Sequence, residues 1–342
     1  MLKFEINYLV LDYLVLASLF LPSVSFPIYI LLLAAILDYV IGDPGGWLHP
    51  VQVMGWIIQN YTNLALEFCH PGWQRRLAGL LLGWLLIVGS GLFGWLIISG
   101  CSIIHPLLGS LMEVVLLASC FAGKSLRVAV QDVLKPLEAG DIIKARSRLS
   151  LYVGRDTDNL SQSEILRALL ETVAENAVDG VTAPLFYAIV GFFTPLGAIP
   201  LALAYKAAST LDSMIGYLRE PYTDLGWFSA QLEDRLTWIP CRLTVITLSL
   251  VSGKLQQVWR ICLRDGIKDP SPNSGWSEAA YAGILGVQLG GINTYKGVVT
   301  EKPLLGDAIE IISVAKINQA LTLTSDCFVV WLAIAIFADT LI

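Results

Sequence analysis

From Leu77 to Ile98 the chain carries no charged side chain, and as a helix this run is long enough to cross the ~30 Å hydrocarbon core of a bilayer. Hydrocarbon offers no partner to backbone polar groups, so such a run, lacking the alternation of a strand, must be helical. Ile103–Phe121 and Leu321–Ile342 are further candidate spans. Tyr8–Ile41, broken by Pro22 and Pro27, reads as one kinked span or as a short interfacial helix followed by a span. Trp238–Val251 is short for a crossing. Length alone allows about five to eight crossings.

Charged residues make up only 15% of the chain, against about 25% in soluble domains, and mean hydropathy is +0.66. The expected fold is all-α: a polytopic helical bundle in the lipid bilayer, with amphipathic helices and motif loops on one face. No repeat or low-complexity tract divides it, so residues 1–342 read as a single domain. A net charge of −6 gives no support to a nucleic-acid partner. The six cysteines show no C-x-x-C spacing, which implies neither a disulfide framework nor a zinc site. The N-terminus lacks a small-residue cleavage site and reads as the start of a membrane segment.

The largest basic cluster lies between Gly123 and Gly180 and marks this face as cytoplasmic, as expected of a cell-membrane protein. Val181–Ala204 follows, apolar but divided by Pro195, Gly197 and Pro200. It is either a single crossing or a return formed by two short helices. The return is favoured because both flanks are rich in polar motifs.

Within that region LSQSEILRALLETVAENAVD, Leu160–Asp179, is amphipathic. At 100° per residue Glu164, Glu171, Glu175 and Asp179 share an arc of roughly 80°, with apolar residues opposite. Carboxylates at i, i+4 repel by about 0.2–0.5 kcal/mol per pair. No Lys or Arg lies within the arc, and Arg167 is just off its edge. The row is either a solvated acidic face or the seat of a cation.

Other polar groups gather around it. Asp43 sits in a Gly-Asp-Pro turn with His49 six residues on. Asp in such a turn commonly accepts backbone hydrogen bonds. Ala118–Ser125, ASCFAGKS, matches a relaxed phosphate-loop pattern, but it closes an apolar helix instead of following a strand and is read as a decoy. Gly154-Arg155-Asp156-Thr157 suits phosphate and metal binding or helix capping equally. Lys206, Ser209, Thr210 and Ser213 share one face of a polar helix with Asp212 at its edge, and Gln231–Arg235 is dense in charge. Lys268–Trp276, with two prolines and a glycine, forms a rigid loop leading into Glu278.

GDP with HPV downstream, VGRDT, E-T-VAEN-VDG-APLFYA, AYKA-TLDSMIGY, GW-SA-L-D-WIPCRLT, PSPN-GW-EAA-AG-LGV-LGG and EKPLLGD occur in this order. Together they make the chain strongly resemble the adenosylcobinamide-phosphate synthase family (CobD/CbiB) of late cobalamin biosynthesis over nearly its whole length. Asp269 stands where that family's pattern has His, Ser274 where it has Ala, Glu233 where it has Asp, and Leu48 where Pro often precedes His49. The resemblance implies an integral-membrane ligase that joins adenosylcobyric acid to (R)-1-amino-2-propanol O-phosphate with ATP and Mg²⁺. On that footing Glu171, Glu175, Asp179 and Asp156 are expected at Mg²⁺–ATP, with Arg155 and Lys206 steadying phosphates. Asn176 would orient the substrate carboxylate or a metal-bound water. Asp43, His49 and Asp212 are candidates for proton transfer or for the substrate ammonium. The loop from Asp269 through Ser271 and Asn273 to Trp276, with Glu278, would face the corrinoid. Other late-pathway membrane enzymes are expected neighbours. The rival class is a transporter or sensor that kept the scaffold.

Overall fold

The computed structural model describes residues 26–43, 46, 49–217 and 219–341. Of the described residues 73% are helical, with one small two-stranded sheet among them. The first helices are α1 (Phe26–Val40), α2 (Pro50–Phe68), α3 (Trp73–Ile104), α4 (Pro106–Ala118), α5 (Gly123–Glu138) and α6 (Ile142–Leu149). They are followed by α7 (Gln162–Asn176), α8 (Ala183–Phe192), α9 (Ala198–Ile215), α10 (Trp227–Val251), α11 (Leu255–Arg264) and α12 (Ser274–Leu285). The hairpin β1 (Leu289–Tyr295) and β2 (Val298–Leu305) precedes the last helix, α13 (Val314–Asp339). Of the expected segment Tyr8–Ile41, residues 8–25 lie outside the described ones.

Three helical stretches among the described residues are long and apolar enough to cross a membrane: Trp73–Ile104, Pro106–Glu138 and Val314–Asp339. The second loosens at 119–122, between α4 and α5. Length had allowed five to eight. The remaining apolar segments form shorter helices packed against these, which is the bundle expected of a polytopic membrane protein.

Packing in α3 shows how the bundle closes. One face exposes Trp84, Leu85, Val88, Leu92, Phe93, Trp95 and Leu96. The other buries Gly79, Gly83, Gly91 and Gly94 among Ala78, Leu82 and Leu86. A β-carbon at Gly91 would lie 2.9 Å from the Pro200 carbonyl oxygen, and one at Gly79 only 1.9 Å from that of Leu225. Small residues thus let backbones touch where lipid supplies no hydrophobic drive between helices. The segment 181–204 turns back on itself: α8 and α9 pack on one another across the break at 193–197.

Between α7 and α8 the chain makes one π-helical turn, Ala177–Thr182. A π turn inserts an extra residue and leaves carbonyls to be satisfied from outside. The Gly180 carbonyl accepts from Ala122 N at 2.9 Å, and the Ala174 carbonyl from Ser277 Oγ at 2.6 Å. The turn also rotates Asp179 out of the regular 100° row on which its alignment with Glu164, Glu171 and Glu175 was based.

Candidate active site

The Gly-Arg-Asp-Thr segment clasps the hairpin. Lys296 and Gly297 both have positive φ, the conformation of a two-residue hairpin turn that matches strand twist. The Asp156 carboxylate accepts from both turn amides, Lys296 N at 2.9 Å and Gly297 N at 2.8 Å. Arg155 pairs with Glu171 at 2.5 Å and donates to Asn293 Oδ1 at 2.9 Å. Arg167 reaches the other Glu171 oxygen at 3.1 Å and donates to the carbonyls of Gly290 and Ile292. Gly290 N also donates to Glu171 Oε1. Glu171 is therefore buried, with both oxygens engaged by two guanidiniums and an amide. Arg155, Asp156 and Glu171, expected at Mg²⁺–ATP, are occupied in holding the hairpin to α7. Arg167, off the edge of the acidic arc in projection, is close enough to pair with Glu171.

The remaining acids converge elsewhere. Asp179 lies in the π turn, outside the three spanning stretches. Burial first, then the charges of Glu233, Glu175 and Asp212, hold its carboxyl well above the usual range. Asp212 in turn feels Glu233, Asp234 and Glu175. Five carboxylates from α7, the π turn, α9 and α10 thus share one neighbourhood. Glu233 and Asp234 were legible only as a charge-dense segment; that Glu233 acts on Asp179 follows from how α10 packs on the π turn. Asn176, half-buried, donates to the Thr172 carbonyl. Lys206 sits in the combined field of Asp43, Asp38 and Asp179.

Asp43 and His49 meet as the sequence position allowed, Asp43 Oδ1 to His49 Nε2 at 3.0 Å. His49 Nδ1 accepts from Val51 N at the start of α2, so the neutral ring carries its proton on Nε2, toward Asp43. The His49 ring beside it, with a hydrogen bond from Ser125, holds the Asp43 carboxyl below its ordinary value. The phosphate-loop decoy receives this turn: Gly123 N donates to Asp38, Lys124 Nζ to the Val40 carbonyl and Ser125 Oγ to Asp43. The N-terminus of α5 is thus filled by the protein's own carboxylates.

In the rigid loop, Asn273 is buried, accepting from Arg242 at 2.6 Å and donating to the Asp234 carbonyl. Arg242 is sandwiched between the rings of Trp238 and Trp276. Ser271 Oγ accepts from two amides of the loop itself. Asn273, Trp276 and Ser271 therefore shape the loop from inside. Asp269 and Glu278 retain carboxylate oxygens that accept no hydrogen bond. Lys302 on β2 stands 3.8 Å from Glu278. Reading the sequence passed over Lys302, because nothing local marks a strand lysine as facing a buried acid.

These features define a polytopic helical membrane protein with a carboxylate-lined site beside a clasped hairpin. The CobD/Cbib protein family matches residues 31–324. A relative named cobalamin biosynthesis protein CobD from Synechocystis sp. is 56% identical over 289 residues, 84% of each chain. Another CobD, from Citrobacter koseri, is 42% identical over 85% of this chain and 91% of its own. A CbiB protein from Salmonella arizonae is 41% identical over the same shares. No solved structure matches. The chain belongs to the CobD/CbiB family of cobalamin biosynthesis proteins.

Proposed function

We propose that this protein is an ATP-dependent, amide-forming ligase acting at the cytoplasmic face of the cell membrane. It joins adenosylcobyric acid to (R)-1-amino-2-propanol O-phosphate, giving adenosylcobinamide phosphate. The observation that carries this reading is the convergence of Glu175, Asp179, Asp212, Glu233 and Asp234 in a chain of this family.

A carboxylate accepts an amine only after one oxygen becomes a leaving group. Transfer of the ATP γ-phosphoryl to the propionate oxygen releases ADP and leaves an acyl phosphate. The amine then attacks the carbonyl carbon, phosphate departs, and a base takes the surplus ammonium proton. Mg²⁺ would neutralise phosphate charge in the first step. Oxygen donors suit it. Among the described residues no three His, Cys, Asp or Glu side chains form a preformed cage. That fits an ion held by one or two carboxylates plus nucleotide phosphates. Glu175 and Asp179 are the ones we assign to it. Lys206 would offset phosphate charge, Asn176 would orient the propionate, and Asp212 or the Asp43–His49 pair would take the proton.

Detergent-purified protein incubated with both substrates, ATP and Mg²⁺ should give adenosylcobinamide phosphate by mass spectrometry, and chelation should stop it. Glu175→Ala and Asp179→Ala should abolish product while membrane expression stays intact. Near-normal turnover in either variant would remove the acidic cluster from the mechanism. Absence of product from folded wild-type protein would favour a non-catalytic relative.

A further inference from the structure

The region around Lys302 joins two unusual features. Glu278 is 1% exposed, and its Oε2 accepts no hydrogen bond; Asp269 Oδ2, also buried, accepts none. A buried carboxylate oxygen without a donor is costly, which makes these atoms acceptors awaiting one. Lys302 does not meet that need. Its Nζ is 3.8 Å from Glu278 Oε1, well beyond the 2.7–2.9 Å of a charge-assisted hydrogen bond. Its side chain is half-buried, with 28% of its surface still exposed. The charges of Asp269 and Glu175 also act on Lys302.

Oxygens short of donors next to a half-buried ammonium complement a ligand with the opposite arrangement, an ammonium at one end and an anion at the other. Resting on the ligase reading above, we propose that Lys302 is a specificity-determining residue for the amine substrate. It takes the phosphate of an aminoalkyl phosphate, while Glu278 Oε2 and Asp269 Oδ2 take its ammonium. Lys302 then decides between a phosphorylated amino alcohol and the free one. The hairpin clasp gains a purpose: Gly291 pairs with Lys302 across the sheet, so the Arg155–Glu171–Arg167 network that anchors β1 also sets the height of Lys302 over Glu278.

The test is equilibrium binding by isothermal titration to the full-length protein in detergent, without ATP or corrinoid. Aminopropanol phosphate, free aminopropanol and inorganic phosphate are the probes. Wild type should prefer the phosphorylated amine, and inorganic phosphate should compete. Lys302→Met should weaken aminopropanol phosphate about 10- to 100-fold, the value of a charge-assisted hydrogen bond. It should leave free aminopropanol unchanged and abolish phosphate competition. Lys302→Arg should restore the preference, which separates a lost charge from a damaged fold. Glu278→Gln should weaken both amines by a similar factor. In turnover assays Lys302→Met should raise KM for the phosphorylated amine and leave kcat near wild type. The assignment is overturned if Lys302→Met keeps the preference, if Lys302→Arg fails to rescue a folded protein, or if Glu278→Gln binds both amines like wild type. The predicted binding pattern without any turnover would keep this site and retire the ligase reading. Turnover indifferent to Lys302 would do the reverse.

Discussion

Two glutamates one helical turn apart on α7 have different fates. Glu171 is buried between Arg155 and Arg167, whereas Glu175 is exposed toward the acidic cluster. Removing one partner of a buried pair leaves uncompensated charge and costs about 3–5 kcal/mol. Glu171→Ala should therefore lower the thermal transition of the detergent-solubilised protein sharply, while Glu175→Ala, by the same measurement, should move it little. Equal transitions would mean that the clasp contributes no stability. The sequence could show that both acids share an arc, but not this difference, because beside Arg167 on the same helix the contacts that bury Glu171 come from Arg155 in the preceding loop and from a hairpin more than a hundred residues away. Asp43 illustrates the opposite case. Its turn, and His49 six residues on, were both readable locally, and the two side chains do meet. Its carboxyl is held below the ordinary range, so its contribution is complete above that value and is lost only as pH falls through the lowered one.

For the helices, period and composition went far. The apolar run 77–98 falls within the first spanning stretch, 103–121 straddles the break at His105 and lies in the second from Pro106 on, and the return at 193–197 follows from Pro195, Gly197 and Pro200. The π turn was not legible, since an extra residue in a helix leaves the apolar period nearly intact. The hairpin was missed for another reason: β2 is largely exposed, and β1 packs on α7 through hydrogen bonds from its backbone to Arg167 and Glu171, so β1 lacks a clean alternation. At this scale the glycine face of α3 gives the clearest test. Gly91→Leu would drive a side chain into the backbone at Pro200 and separate α3 from α9. Such overpacking costs about 1–3 kcal/mol or more. The folded yield in size-exclusion chromatography should fall, whereas Gly89→Leu, with nothing near its β-position, should be tolerated.

Across the whole molecule, exposure has two meanings, depending on whether lipid or water lies outside. Leu92 on α3 is 52% exposed and Leu151, in the loop after α6, is 65% exposed. Leu92→Asp should reduce the membrane-inserted fraction, at a cost of about 3 kcal/mol if the site lies near the bilayer centre. Leu151→Asp should change it by no more than about 0.5 kcal/mol equivalent. Membrane fractionation followed by protease protection measures both, and equal behaviour would argue against a lipid belt on α3. The clasp also bears on the order in which the chain is made. Asp156 meets its turn amides 140 and 141 residues further on, and Glu171 meets Gly290 after 119. While the ribosome is still building α8 to α12, the carboxylates of Asp156 and Glu171 have no hairpin to hold. The corner carrying Lys302 can be completed only after residue 302 has emerged, so it is born well after the helix it is clasped to.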